Sequence, residues 1–497
     1  MLRTSRYTIY VDLPGNDRDV LLFHGYTGAC DKVSRPIADF LRRRQGAPAK
    51  PLYGDWSAEA GGAADGAPAE GTIEVLREQG YLTPLSPEEE ETFFTRLVEQ
   101  LHARALAQRP SYIFMPTYDC NLRCSYCYQD SLRTGCGAKE LLRSMRPAMV
   151  DRIFAAMPKI EARHGLDPAA PLRRSVGLFG GEPLLAANRP VVEHILRRAR
   201  EGEGADVWAV TNGTELPAYR DLLGPAGISR VQITLDGTPE EHDTRRVYAD
   251  GSGSYARIAE SIALALELGA AVSLRINVDR KNLGDLPAIA REILRRGWHR
   301  SERFSAYTAP VRAGNGKTDA AGTLSTAELD QALTMLRACE PEVALLGRPD
   351  EGLRGRARRL FAGGAVLPSL RPSFCSAHDQ MYIFDPFGDI YTCWERTGDR
   401  DVRLGSVTPE GDVAFRFDHL QLWRSRTVAS NPVCRRCRYA LHCGGGCAVL
   451  ALERNQQLHS NHCDGFARRF RDSVAEAYLE HTAGITAGAV PATLCES

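Results

Sequence analysis

The chain has 497 residues, of which 43% are apolar. That length predicts about three domains, and the apolar fraction excludes a globally disordered chain. Lys plus Arg and Asp plus Glu both number 62, so no net field draws the protein to nucleic acid or to an anionic membrane. No stretch is long and apolar enough to span a bilayer, and residues 1–12 lack the apolar core of a secretory signal. Fourteen cysteines without such a signal point to a reducing cytoplasm and to metal binding.

Residues 6–12 and 19–24 read as strands joined by a turn at Pro14-Gly15-Asn16-Asp17. Val33, Ile37, Phe40 and Leu41 give helical spacing over 33–43. Residues 45–71 are rich in Gly, Ala and Pro and read as a loop. A helix at 72–79, a short strand at 81–83 and a helix from Ser86-Pro87-Glu88-Glu89 to about 107 complete the segment. This α+β unit of residues 1–107 holds no catalytic cluster. It is either a stabilising cap or a peptide-binding module that offers a strand edge.

From 108 to 310 the pattern is strand, loop, helix, repeated. Strands fall at 111–115, 175–179, 206–210, 230–235, 272–278 and 303–307. Helices fall at 147–164, 191–200, 215–223, 255–268 and 285–296. Alternation of this kind predicts a parallel sheet, and six strands predict a partial (β/α)6 barrel. Such barrels carry their chemistry at the carboxyl ends of the strands. Strand one ends at Cys120-Asn121-Leu122-Arg123-Cys124-Ser125-Tyr126-Cys127, where three thiols share a short loop. Three thiolates offer an iron–sulfur cluster with one open iron, or a zinc site completed from elsewhere. Strand two ends in Gly180-Gly181-Glu182-Pro183, where the glycines admit a close ligand and Glu182 offers a carboxylate. Thr211-Asn212-Gly213, Asp236-Gly237 and Asn277-Val278-Asp279 end the next three strands. Each motif alone is a common turn; their placement on successive strand ends is the informative feature.

Residues 311–370 read as a bridging region. Seven cysteines follow within about ninety residues: Cys375, Cys393, Cys434, Cys437, Cys443, Cys447 and Cys463. Gly444-Gly445-Gly446 allows a tight wrap around a bulky ligand. Zinc is the bland alternative here, because Cys434-Arg435-Arg436-Cys437 resembles half of a zinc ribbon. Cys30, Cys136, Cys339 and Cys495 lie outside both patterns and read as ordinary buried thiols.

The motifs CNLRCSYC, GGEP and TNGT, with Gln232-Ile233-Thr234-Leu235-Asp236-Gly237, Glu241-His242-Asp243 and Arg246, resemble the radical S-adenosylmethionine (radical SAM) superfamily. The resemblance implies that Cys120, Cys124 and Cys127 hold a 4Fe-4S cluster whose open iron binds SAM. It implies that Gly180, Gly181, Glu182 and Pro183 hold the SAM ammonium and that Tyr126 packs beside adenine. Thr211, Asn212, Asp236 and Arg246 are the further polar contacts it implies. Electron transfer from the cluster would cleave SAM to a 5′-deoxyadenosyl radical that abstracts hydrogen from the substrate. The protein would supply positioning and exclusion of water and oxygen.

Residues 371–475 resemble the SPASM extension of peptide- and protein-modifying radical SAM enzymes, and all seven expected cysteines match. By that analogy Cys434, Cys437, Cys443 and Cys463 close one auxiliary 4Fe-4S cluster, and Cys375, Cys393 and Cys447 hold a second. An eighth cysteine found in some relatives before Cys375 is missing here, which leaves an open iron or a ligand from elsewhere, with Cys339 and Cys136 as candidates. Sulfatase-maturing relatives carry an aspartate after the cysteine corresponding to Cys393; this chain has Trp394 and then Glu395. Residues 1–107 loosely resemble a winged-helix-like leader-binding module, with Val20 to Phe23 near the peptide-binding edge. The expectation is therefore a cytoplasmic maturase that forms a thioether or carbon–carbon cross-link in a ribosomally made precursor peptide. It would use flavodoxin or ferredoxin as electron donor. The alternatives are oxidative maturation of a side chain in a protein partner, and a non-catalytic iron–sulfur or zinc scaffold. Residues 476–497 read as a C-terminal tail, which from about Ala483 is rich in Ala, Gly and Thr and gives no functional reading.

Overall fold

The computed structural model describes residues 2–45, 68–135, 138–167, 173–314, 317–363 and 370–484. Most of the expected loop at 45–71, Cys136, Cys495 and the end of the tail lie outside the described residues. The chain forms two compact units that do not follow chain order. The first joins Met1–Ala105 with Asp350–His378 and Ser425–Gly488; the second joins Leu106–Pro349 with Asp379–Arg424. The segment 371–475 is thus shared between the two.

In the first unit, β1 (Arg3–Thr4) pairs antiparallel with β5 (Leu82–Thr83). Strands β2 (Thr8–Leu13), β3 (Asn16–His24) and β4 (Cys30–Ser34) form an antiparallel sheet in that order. Two of these strands match expectation. The third differs, because Cys30–Ser34 pairs with β3 and the helix begins only at Arg35, with Pro36 in its first turn. The strand β3 is therefore central, paired on both sides from Val20 to Phe23, and is not itself an edge. Ile9, Val11, Leu21 and Phe23 on one sheet face pack with Phe470 and Val474 of the helix Phe466–Thr482. Val20 and Leu22 on the opposite face pack with Ala38 and Leu41 of the helix Arg35–Arg43. The alternation follows from the period of two along a strand. The long helix Pro87–Leu106 starts at a capping box, in which the Ser86 and Glu89 backbone N–H groups bond to each other's side chains.

The second unit holds the parallel strands β6 (Ser111–Phe114), β7 (Arg174–Leu178), β8 (Ala205–Val210), β9 (Ile228–Thr234), β10 (Ala271–Val278) and β11 (Phe304–Pro310). These are the six expected strands, each within two or three residues of its expected bounds. The sheet does not stop there. A two-residue strand β12 (Leu346–Gly347) extends it beyond β11. On the other side β13 (Met381–Phe384) lies parallel to β6, followed by the antiparallel β14 (Asp389–Tyr391), β15 (Gly405–Val407) and β16 (Val413–Phe415). The result is an eleven-stranded sheet that contains the partial barrel.

Val272, Leu274 and Ile276 of β10 are fully buried, as are Ile258 and Ile262 of the helix Tyr255–Glu267 and Ile293 of the helix Leu286–Arg296. Gly297 ends the latter helix in a left-handed conformation. The expected helix at 215–223 is a 3-10 segment, Leu216–Leu222, kinked at Tyr219. The bridging stretch contains the helices Thr326–Cys339 and Glu351–Phe361. Among the described residues no helix is long and apolar enough to cross a membrane.

Candidate functional site

The cysteine loop leaves β6 through Thr117, Tyr118 and Asp119, and the strand end of β7 is fitted against it. The Gly181 N–H donates to the Thr117 carbonyl at 3.1 Å, and the Glu182 N–H to the Asp119 carbonyl at 2.7 Å. A Cβ on Gly180 would lie 2.5 Å from the Thr117 oxygen, and one on Gly181 would overlap the Tyr118 and Asp119 oxygens. The two glycines are thus required by the chain's own cysteine loop. Beyond it, the Arg123 N–H bonds to the Val247 carbonyl and the Ser125 N–H to the Arg245 carbonyl, so residues 245–248 brace the loop from its other side.

Cys120 is buried, Cys124 and Cys127 are partly so, and none is in a disulfide. Burial pushes the Cys120 thiol up to about 12, with Glu182 and Cys124 adding to the effect. Arg133, on the helix Asp130–Thr134, faces all three thiols and hydrogen-bonds Cys127. Its side chain is 2% exposed. Arg246 faces Cys124. Three thiols opposed by two guanidinium groups form a donor set suited to an iron–sulfur cluster, whose ligands are thiolates. Among the described residues no three His, Cys, Asp or Glu side chains converge as they would on a single ion.

Beside the loop lies a buried polar network. The Tyr126 hydroxyl donates to the Asp236 carboxylate and accepts from Arg246 Nη1 at 2.8 Å and Asn277 Nδ2 at 3.2 Å. Asp236 also accepts the Asn277 N–H at 2.8 Å. The Asp236 N–H donates to His242 Nδ1 at 3.1 Å, which puts the ring proton on Nε2, facing Ser254 at 3.1 Å. Burial drives His242 down to about 3, so the ring is neutral. Arg246 Nε is buried and has no hydrogen-bond partner among the described residues, an orphan donor of the kind a ligand would satisfy.

Glu182 is 1% exposed. It accepts from the Thr211 hydroxyl and the Asn212 N–H, each at 2.6 Å, and from the Leu184 N–H at 2.9 Å. Burial nonetheless raises it to about 7. Its carboxylate therefore ties the ends of β7 and β8 together before it meets any ligand. Asn212 in turn bonds Asn121 at 2.8 Å. The expected residues Tyr126, Glu182, Thr211, Asn212, Asp236 and Arg246 are all brought to the cysteine loop.

In the first unit Cys437, Cys443 and Cys463 all act on Cys434, whose thiol burial pushes well up. The glycine run 444–446 takes three successive left-handed conformations. A Cβ on Gly444 would lie 2.6 Å from the Ser373 oxygen, and one on Gly446 would overlap the His462 oxygen. Only glycine fits there. Cys375 and Cys447 belong to this unit also; Cys393 belongs to the second, where Trp394 stacks on Phe179 with ring centroids 5.4 Å apart and Glu395 pairs with Arg312 at 2.6 Å. Cys30 packs against the core around Phe23 and Phe470, as an ordinary thiol does, and Cys339 ends an exposed helix turn.

Sequence reasoning missed Arg133, Asn282, Ser254 and Arg426. Arg133 stands six residues after Cys127 in a run with no motif, and Asn282 reaches the Asp236 and Asn277 carbonyls from outside any strand end. Asn277 was visible as a strand-end residue and His242 in the Glu241-His242-Asp243 motif, but neither as a partner of Asp236.

Residues 114–293 match the family model of the Radical SAM superfamily. The chain is 28% identical over 305 residues to a GTP 3',8-cyclase of Rhizobium leguminosarum bv. trifolii (strain WSM2304), covering 59% of this chain and 78% of that protein. It is 35% identical over 120 residues to a probable GTP 3',8-cyclase of Pyrococcus abyssi (strain GE5 / Orsay), a match to 24% of this chain that spans only 32% of that relative's length. Among solved structures, native anSMEcpe with bound AdoMet and Cp18Cys peptide matches with a TM-score of 0.52 at 14% identity, covering 76% of this chain and 99% of that one. At that identity the likeness is one of fold.

Proposed function

We propose that this radical SAM enzyme is a peptide maturase that cross-links a ribosomally made precursor peptide through a thioether or carbon–carbon bond. The observation that carries the reading is the second group of cysteines. Cys434, Cys437, Cys443 and Cys463 gather in the first unit around a glycine run that admits no other residue. A radical enzyme has use for such a module where a substrate radical must lose an electron. The N-terminal sheet adds a strand edge on which an extended peptide could align.

In this reading Cys120, Cys124 and Cys127 hold a 4Fe-4S cluster, with Arg133 and Arg246 offsetting thiolate charge. Held by those thiolates and reduced, such a cluster would supply the electron for reductive cleavage of SAM to methionine and a 5′-deoxyadenosyl radical, the species that would take a hydrogen atom from the substrate. The Tyr126, Asp236, Arg246 and Asn277 network orients SAM, and Arg246 Nε donates to it. Glu182 holds the strand ends on which the SAM amino acid rests. Cys375, Cys393 and Cys447 are assigned to a second auxiliary cluster, and a cytoplasmic flavodoxin or ferredoxin would supply the electron that SAM cleavage consumes.

A second reading follows the names of the sequence relatives. A GTP 3',8-cyclase would take a nucleotide in place of a peptide. One experiment separates them. Anaerobically reconstituted protein is given SAM and dithionite with either GTP or a candidate precursor peptide, taken from any small open reading frame found beside its gene. The maturase reading expects a peptide product lighter by two hydrogen atoms, with GTP unchanged. Conversion of GTP with the peptide unchanged would overturn it.

A further inference from the structure

Arg426 is 3% exposed, at the centre of the cysteine-rich part of the first unit. Its Nε donates to the Leu458 carbonyl at 2.7 Å, and Nη2 to the carbonyls of Ser460 at 2.9 Å and Gly445 at 3.4 Å. Nη1 faces His378 Nε2 at 3.4 Å. These partners sit on three different loops. Gly445 lies between Cys443 and Cys447, and a Cβ there would touch the Cys434 sulfur at 3.7 Å. Leu458 and Ser460 lead to Cys463. The fully buried His378 donates its N–H to the Cys375 carbonyl at 3.2 Å. One planar fork therefore ties together three of the unit's cysteine-bearing loops, those of Cys375, of Cys443 and Cys447, and of Cys463.

The charge on that fork is the second point. Its hydrogen-bond partners among the described residues, three carbonyls and an imidazole, carry no formal negative charge. A buried cation without compensation costs several kcal/mol, on the order of the penalty for one desolvated ion. Burial accordingly works against the charge of Arg426, while Cys434, Cys375, Cys447 and Cys443 work in its favour. Those thiols come from both proposed ligand sets.

We infer that Arg426 is a positioning residue whose buried positive charge offsets the negative charge of the auxiliary iron–sulfur centres and holds their reduction potential up. The inference rests on the auxiliary clusters proposed above. A cation close to a cluster favours the reduced, more negative state, so its loss moves the potential down.

The test uses the full-length protein, reconstituted anaerobically, as wild type, Arg426→Gln and Arg426→Lys. Iron and sulfide are counted, and each cluster is titrated by electron paramagnetic resonance. The expected result is a more negative auxiliary midpoint in Arg426→Gln, an unmoved midpoint for the SAM cluster, and recovery in Arg426→Lys. Auxiliary midpoints identical in wild type and Arg426→Gln would overturn the inference. Where Arg426→Gln fails to hold auxiliary iron, Arg426→Lys decides: retained iron supports the charge role, and equal loss overturns it. About four iron per wild-type chain, in place of about twelve, would instead remove the auxiliary clusters themselves and so identify which premise failed.

Discussion

The Glu182 carboxylate accepts the backbone N–H of Asn212 at 2.6 Å while lying fully inside the protein. Three donors favour its charged form, yet burial prevails and raises it from 4.5 to about 7. In Glu182→Gln one of those donors meets an amide N–H, and the expected cost is about 1–3 kcal/mol. The cost depends on pH in a definite direction. The folded chain holds the Glu182 proton more tightly than the unfolded chain, so this contribution is complete below about 4.5 and is lost as pH rises through about 7. Denaturant unfolding of wild type and variant from about pH 5 to about pH 8 should show the wild-type advantage shrinking. A difference that grows with pH would contradict the burial argument.

Gly181 makes a sharper case, because the obstacle is backbone. An added Cβ overlaps two carbonyl oxygens of the segment that delivers Cys120. Gly181→Ala must displace that segment, at a cost of about 3 kcal/mol, and should lose most of the iron assigned to Cys120, Cys124 and Cys127. Gly284→Ala is the control, since a Cβ there meets open space. Iron content after reconstitution measures both, and full iron in Gly181→Ala would refute the close fit.

Tyr126 was expected to contribute its ring. The structure shows that its hydroxyl is equally committed, bonding Asp236, Arg246 and Asn277. Tyr126→Phe keeps the ring and strips the hydroxyl from two charged partners. Hydrogen bonds to charged groups contribute about 1.5–3 kcal/mol, so SAM affinity should fall about 10- to 100-fold. Equilibrium dialysis of SAM against variant with full iron gives the number. An unchanged affinity would mean that the network does not orient SAM.

The sequence was legible where function or burial imposes a period. The six barrel strands and most of the helices between them followed from apolar spacing, because β10 and its neighbours bury one face continuously; the kinked 3-10 segment Leu216–Leu222 did not. The strands β13 to β16 were not legible, since three or four residues carry no period to read. Val33 and Ser34 were taken for helix because Val33 falls in register with Ile37 and Phe40; pairing with β3 overrode that local pattern. Arg133 and Arg426 act through the fold alone. Neither lies in a motif, and only the folded chain shows which thiols each guanidinium faces.

The same misplaced strand changes where a leader peptide would bind under the proposed function. With β3 central, the sheet has β2 and β4 as its edges among the described residues. Strand β2 is buried beneath the helix Phe466–Thr482, whereas β4 is half exposed. An incoming peptide strand should therefore pair with β4. Successive residues of a strand point their N–H groups to opposite sides, so of Lys32→Pro and Val33→Pro one removes a donor facing β3 and the other a donor facing outward. The first should destabilise the sheet, with loss of the pairing to Leu21 or Val20. The second should leave the unfolding midpoint in place and weaken binding of a fluorescent precursor peptide about tenfold or more. Equal affinity in both variants, with the fold retained, would remove β4 as the recognition edge.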